Sequence, residues 1–328
     1  MQIDSARELK AFCLKQHIEP MISRPRTLGV AARAMSVVDP TQRTVALGIT
    51  RKQNDSEYQL AVRIQSRGIE NSRHVHAIIE AAKGEAEVRY VGRVVKRVAW
   101  NQTQQRPLLI GISIGHFKIT AGTLGCFAKS RVDGKARILS NNHVLANENA
   151  AKAGDAILQP GAYDGGTLGD TVGQLDQFVP LVTKGANTVD AAIASLSPGI
   201  QYDSATLTKL GSLQGTAGTP VEIGDAVCKI GRKTDLTQGR VSAIEVDNVI
   251  IGYDLGNLRF DNQIEIESAA NTPFSQGGDS GSLIVNSNLQ AVGLLFAGSD
   301  QGGANGQGIT YANPIGTVFD ALAVDLLY

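Results

Sequence analysis

Cysteine is scarce in this chain. Three occur in 328 residues, Cys13, Cys126 and Cys228. An odd, sparse set gives no disulfide framework and reads as free, mostly buried thiols in a reducing compartment. There is no Cys-x-x-Cys pair and no His/Cys cluster, so the sequence makes no case for a metal or any other cofactor. Long apolar runs are missing too: none approaches the roughly 18 residues of a spanning helix, which argues against a membrane partner. The N-terminal segment 1-MQIDSARELKAFCLKQH-17 is charged and helical in pattern, not an apolar signal core. The most basic strand-like run, 89-RYVGRVVKR-97, lacks the aromatic interleaving that would support nucleic-acid binding and reads as a solvated sheet face. These absences together predict a cytoplasmic protein.

Glycine is abundant, at 36 residues, whereas aromatics make up 5% and charged residues 19%. That balance suits a turn-rich β protein, and the length allows two or more domains with their own cores. The net charge of zero is unevenly spread: residues 1–100 hold 17 Lys+Arg against 10 Asp+Glu, and the remainder hold 14 against 21. This asymmetry suggests halves with different roles, or halves that dock on one another. The N-terminal part reads as a small α/β module over 1–100. It has a helix over 4–18 with Ala6, Leu9, Phe12 and Cys13 at helical spacing, halted by Pro20 and 24-RPR-26. Strands follow over 43–50 and 58–65 around the polar turn 52-KQNDSE-57, then a helix over 70–83 and a strand over 85–98. The polar 101-NQTQQRP-107 reads as a linker.

The chemistry concentrates in the rest of the chain. Residues 277–282 read Gly-Gly-Asp-Ser-Gly-Ser. Glycine permits backbone angles closed to other residues, so Gly278 and Ser280 can turn their N–H groups toward one point beside the Ser280 hydroxyl. Two convergent donors beside a hydroxyl make an oxyanion hole next to a nucleophile, and a serine nucleophile requires a base. His143 is the candidate, because it follows a strand in 137-ARILSNNHVLA-147. His116, within 111-GISIGHFKITAGTLG-125, reads as a surface residue. A third group should hold the imidazole in one tautomer. Asp190, within the apolar run 187-NTVDAAIASL-196, fits because a buried aspartate needs a partner. Asp155, Asp164, Asp170 and Asp176 stand among turn residues instead.

The order His143, Asp190, Ser280, with separations of 47 and 90 residues, resembles that of trypsin- and chymotrypsin-like serine proteases. The resemblance extends to 226-AVCKIGRKTDLTQGRVSAI-244, 281-GSLIVNSNLQAVGLLFAG-298 and 309-ITYANPIGTVFDALAV-324, and covers roughly residues 106–328. It implies a mainly β fold of two six-stranded antiparallel barrels with a C-terminal helix. The protease-like domain is then 101–328, with a first barrel over about 106–200, a second over about 206–312, and a helix over 314–327. The chain departs from the family pattern in having Ser282 where a second glycine is usual and Asn142 in place of alanine before His143. In the digestive members a freed N-terminus pairs with the aspartate before the serine; here Asp279 needs another neighbour, or the chain uses a different activation route.

The resemblance further implies an endopeptidase whose polypeptide substrate is cut through an acyl-enzyme. It places Phe274 at the base of the primary pocket and Phe296, Ala297 and Gly298 along its wall. None is a carboxylate, so a shallow pocket for small or hydrophobic residues is expected rather than a Lys/Arg preference. The rival expectation is a catalytically silent binding or regulatory module. A protease held silent until a partner or ligand orders its cleft, a regulatory protein acting through residues 1–100 being one such partner, stands between the two, and the Gly-rich 297-AGSDQGGANGQG-308 loop suits it.

Overall fold

A computed structural model describes residues 1–19, 45–52, 57–65, 67–92 and 99–328. The expected helix stop at Pro20 and Arg24–Arg26, most of the 52–57 turn, and the far end of the 85–98 strand lie outside them. The chain forms two compact units, Met1–Arg97 and Val98–Tyr328.

In the first unit, α1 (Ile3–Cys13) runs into a π-helical turn, Leu14–Ile18. The strands β1 (Val45–Arg51), β2 (Tyr58–Ile64) and β3 (Ala86–Tyr90) form a sheet in that order, antiparallel and then parallel. The crossover to β3 carries α2 (Arg73–Ala81), which is capped by the Ser72 hydroxyl. As the central strand, β2 buries Leu60, Ala61, Val62 and Ile64, and Cys13, Val75 and Ile78 close over them. Phe12, expected on the packed face of α1, is instead exposed. The α1 face that packs is set by Ala6 and Cys13, both fully buried, and Phe12 precedes Cys13 by about 100° of helix turn.

The second unit is built from β4 (Ser113–His116), β5 (Gly122–Thr123), β6 (Cys126–Ser130), β7 (Ala136–Ser140), α3 (Asn142–Leu145), β8 (Ala156–Leu158), β9 (Thr171–Phe178), β10 (Ala186–Asn187), β11 (Ala192–Leu196), β12 (Thr206–Leu207) and β13 (Gly211–Ser212). After these come β14 (Ala226–Gly231), β15 (Asp235–Val246), β16 (Val249–Tyr253), β17 (Gly256–Phe260), β18 (Gln263–Ser268), β19 (Leu283–Asn286), β20 (Ala291–Gly298), β21 (Ile309–Pro314), α4 (Ile315–Leu322) and β22 (Val324–Leu327).

Six strands close a barrel in the order β14-β15-β18-β21-β20-β19. The other half is a sheet in the order β22-β6-β7-β11-β9-β8-β4-β5, so it has eight strands instead of the six expected, and it stays open. Very short β5 ends one edge. At the other edge β22 pairs antiparallel with β6. The arrangement is that of the chymotrypsin-like double barrel.

One core runs through both halves. Ile114, Leu124, Phe127, Leu139, Ile193 and Val144 belong to the same buried cluster as Ile230, Leu283, Leu294 and the α4 residues Val318 and Phe319. Each such side chain contributes about 1.5–3 kcal/mol when withdrawn from water.

The expected helix over 314–327 stops at Leu322. Ala323 takes a left-handed conformation (φ 51°), after which β22 begins with Val324 buried and Asp325 exposed. The carboxylates of Asp320 and Asp325 both accept from Arg131 and fasten this reversal. The polar segment expected as a linker is also part of this unit. Asn101 Nδ2 donates to Gly231 O at 2.6 Å, and Gln102 Nε2 to Arg232 O at 3.0 Å. These bonds brace the β14–β15 turn.

Candidate active site

The loop that carries Ser280 is fixed before any side chain is considered. Asp279 N–H donates to Gln276 O and Ser282 N–H to Asp279 O, each at 3.0 Å, so the chain folds into consecutive turns. Gly278 (φ 105°) and Gly281 (φ 91°) take the conformations that those turns require. A Cβ on Gly281 would lie 2.1 Å from Ser140 Oγ and 2.4 Å from Thr123 O, so no other residue fits there. Ser282, the departure from the usual glycine, closes the turn with its hydroxyl on Asp279 O at 2.5 Å.

This loop is docked on the first-barrel strand β5. Thr123 N–H donates to Ser280 O at 2.8 Å, and Thr123 Oγ1 to Gly278 O at 3.0 Å. A Cβ on Gly122 would meet Val144 at 2.4 Å and Ser280 O at 3.0 Å. The backbone of Ser280 and the residue after His143 therefore share one glycine neighbour. Neither the Gly278 N–H nor the Ser280 N–H has a hydrogen-bond partner among the described residues, which leaves both donors free for an incoming oxygen.

Asp279 faces the other way, into the protein, and is fully buried. Its Oδ1 accepts from Lys233 N–H (2.8 Å) and Thr234 N–H (3.1 Å). Its Oδ2 accepts from Thr234 Oγ1 (2.7 Å) and Gln276 N–H (2.9 Å), with Lys229 Nζ at 3.5 Å. Lys229 is fully buried on β14, and burial pulls its ammonium below the usual lysine range against the raising pull of Asp279. The neighbour that Asp279 requires is thus supplied within this unit. Removing one member of a buried pair leaves the other charge uncompensated, at about 3–5 kcal/mol. Lys229→Met is therefore expected to cost stability on that scale, read as a lowered denaturant midpoint at unchanged slope. A midpoint within error of the parent would show that the pair does not hold the loop.

His143 lies on α3, a single turn opened by Asn141 and Asn142. Asn142 Nδ2 donates to Asn149 Oδ1 and Val179 O, both at 2.8 Å, and its Oδ1 accepts from Asn149 N–H. The asparagine in place of alanine thus ties α3 to the loops that follow it. Asn141 Nδ2 donates to Asp190 O at 2.7 Å.

Asp190 is fully buried between β10 and β11, whereas the His143 side chain keeps 22% of its exposure. His143 N–H donates to Asp190 Oδ1 at 3.2 Å, and His143 Nδ1 lies 2.5 Å from Asp190 Oδ2. Burial acts to lower the imidazole pKa, but the charge and hydrogen bond of Asp190 outweigh it and leave it raised. Burial acts to raise the Asp190 carboxyl, and the His143 charge and the bonds from His143 and Tyr253 hold it below its ordinary value. This arrangement fixes the tautomer with a proton on Nδ1 and leaves Nε2 as a proton acceptor. Neither His143 Nε2 nor Ser280 Oγ is hydrogen-bonded to another described residue.

The expected pocket residues are placed unevenly. Phe274 packs in the core of the closed barrel with Val241, Ile266 and Leu295, only 2% exposed. Phe296 is buried against Phe260, with ring centroids 4.7 Å apart. Ala297 is half-buried and Gly298 exposed. His116, expected at the surface, is 1% exposed and contacts Asp155 Oδ2 through Nε2 at 3.1 Å. Asp164, read as a turn residue, takes a two-pronged contact from Arg232.

Sequence reasoning missed Asn141, Lys229, Tyr253 and Asn313 as members of this site. Asn313 Oδ1 accepts from Asp190 N–H at 2.9 Å, and Tyr253 OH donates to Asp190 Oδ2 at 2.7 Å. Both come from the second half of the unit, and no local pattern ties them to residue 190.

No family model matches the chain, and no curated protein matches it. Solved structures do. Protease A of Thermobifida fusca is 16% identical, with a TM-score of 0.47, over 67% of this chain and 98% of its own. The chymotrypsin of Cellulomonas bogoriensis is 18% identical, with a TM-score of 0.45, over 67% and 98%. The Nocardiopsis protease is 16% identical, with a TM-score of 0.48, over 67% and 99%. The structures that this chain is similar to are trypsin- and chymotrypsin-like serine proteases.

Proposed function

We propose that the second unit is a serine endopeptidase that cuts a polypeptide substrate through a Ser280 acyl-enzyme. One observation carries the reading: a buried carboxylate holds His143 by Nδ1, in the half of the fold on which the Ser280 loop is docked, and that loop presents two unpaired N–H groups. His143 Nε2 takes the Ser280 proton as Oγ attacks the peptide carbonyl. The carbonyl π electrons move onto oxygen, and the Gly278 and Ser280 amides receive that charge. Collapse breaks the C–N bond as His143 returns the proton to the leaving nitrogen. Water then repeats the sequence on the ester and frees Ser280.

The buried Lys229–Asp279 contact supports a site organised without a freed N-terminus. Half-buried Ala297 and exposed Gly298 support a shallow primary pocket for small or apolar residues. Three free, buried cysteines support the cytoplasmic setting that belongs to this proposal.

The open Ser280–His143 link favours a second reading, a silent module that keeps the fold alone. A fluorophosphonate probe separates the two, because it phosphonylates only an activated serine. Labelling of the folded chain at Ser280, together with cleavage of a denatured protein substrate, is expected. A folded chain that does neither would leave the silent module standing.

A further inference from the structure

Tyr253 ends β16, far along the chain from Asp190. Its strand and β17 form a hairpin inserted between the barrel strands β15 and β18. The hairpin does not continue the closed barrel. It pairs with β10, the strand just before Asp190, through a parallel register of Ala186 with Arg259 and Asn187 with Phe260. The pairing is reinforced by one side-chain and one backbone bond: Asn187 Nδ2 donates to Arg259 O at 3.1 Å, and Asp261 N–H to Asn187 O at 3.0 Å. At the hairpin tip, Leu255 N–H donates to Glu148 Oε2 at 3.2 Å, just beyond the helix of His143. One hairpin therefore grips the segments that bear both the carboxylate and the imidazole.

Within that grip the phenol is aimed. Phe260 stacks behind the Tyr253 ring (5.9 Å, 25° between planes), and Phe296 packs on Phe260. The Tyr253 ring stands edge-on to the His143 imidazole, with centroids 6.0 Å apart. Its hydroxyl reaches Asp190 Oδ2, the same oxygen that faces His143 Nδ1. A phenol so placed can only donate to the carboxylate, since burial and the negative charge of Asp190 push its ionisation far above the usual tyrosine range.

We propose that Tyr253 is a positioning residue of the site: its hydroxyl clamps the Asp190 carboxylate from the second-barrel side and thereby sets the orientation and basicity of His143. This rests on the endopeptidase reading for its kinetic consequence, but the effect on the imidazole stands without it. The groups facing His143 are Asp190, Glu148 and Tyr253, of which Glu148 adds a weaker negative influence. The Tyr253 hydroxyl draws charge from Oδ2, so it holds the carboxylate ionised and moderates the pull on the imidazolium. Without the hydroxyl, the carboxylate turns more freely and attracts the imidazolium more strongly.

Tyr253→Phe tests this in the full chain, because it keeps the ring and its stacking. A hydrogen bond to a charged group is worth enough to expect kcat about tenfold lower with KM within about twofold. The acid limb of kcat/KM and the His143 titration seen by NMR should both move up by about half a pH unit. An unchanged titration midpoint overturns the proposal, even if kcat falls, because mere loosening of the fold would not move it upward. If the chain neither labels with fluorophosphonate nor cleaves protein, the endopeptidase reading fails, and the His143 titration alone decides on Tyr253. Should Tyr253→Phe not fold, Asp190→Asn in a chain carrying 13C at the tyrosine ring Cζ gives the reciprocal reading. One tyrosine signal must shift when the charged acceptor is lost. If none does, the hydroxyl does not engage Asp190 in solution and the proposal falls.

Discussion

Alanine at position 280 is expected to lower kcat for peptide hydrolysis by about 10⁶-fold, the scale on which a nucleophile and its base act as a unit. The loss should not be additive. His143→Ala alone, and the double variant, should fall to nearly the same floor, since the imidazole has no proton to take once the hydroxyl is gone. A residue of about 10³–10⁴ over the uncatalysed reaction should survive in all three, supplied by the free Gly278 and Ser280 amides and by substrate binding. The substitution is also clean. Ser280 Oγ has no hydrogen-bond partner among the described residues, and the loop is held by its backbone through Thr123 and by Asp279. Removing the hydroxyl orphans nothing, so stability should stay within about 0.5 kcal/mol of the parent. A folded alanine variant that cleaves at the parent rate would end the assignment of Ser280. A variant that unfolds would show instead that the loop depends on a contact absent from this structure.

What the sequence made legible follows from how far each interaction reaches along the chain. The glycines around Asp279 and Ser280 announce a turn because the backbone itself demands them, and the structure has them at φ 105° and 91°. Asp190 stands out because a carboxylate within an apolar run must find a partner, and it is fully buried. Helix and strand failed to separate at the C-terminus, where Val324-Asp-Leu-Leu fits either period and only its pairing with β6 decides. Lys229 reads as one lysine in a strand; that it lies fully buried against Asp279 is a consequence of barrel closure. Tyr253 is 63 residues from Asp190. A hairpin had to leave the closed barrel and pair with β10, just before Asp190, before that phenol could matter, and no window of sequence encodes such a crossing. The first barrel's open edge is illegible for the same reason, because strand number depends on what the C-terminus covers.

Asp190→Asn is expected to cost about 10⁴-fold in kcat while moving the pH profile in the opposite sense to Tyr253→Phe. The amide keeps the carboxylate's shape, but one of its ends is a donor. Turned toward His143 Nδ1, that donor selects the tautomer with the proton on Nε2, which cannot accept from Ser280. The pH effect comes from charge. In the parent, Asp190 holds the imidazole above its ordinary 6.5, so the neutral base is populated only above that value and the acid limb lies higher than 6.5. In the variant, burial remains and acts to lower the imidazole, with Glu148 left as the weaker opposing group. The midpoint should therefore fall, so that the residual activity persists to lower pH than the parent's. Stability follows the same signs. His143, raised on folding, contributes fully below 6.5 and loses that contribution as pH rises through its folded value. Asp190, lowered on folding, contributes above 3.8 and loses it as pH falls through its folded value. The two overlap between 3.8 and 6.5, and there the variant should lose most relative to the parent in denaturant titrations. A profile whose acid limb stays in place would mean that the carboxylate does not set the imidazole, and with it the orientation of the base would need another source.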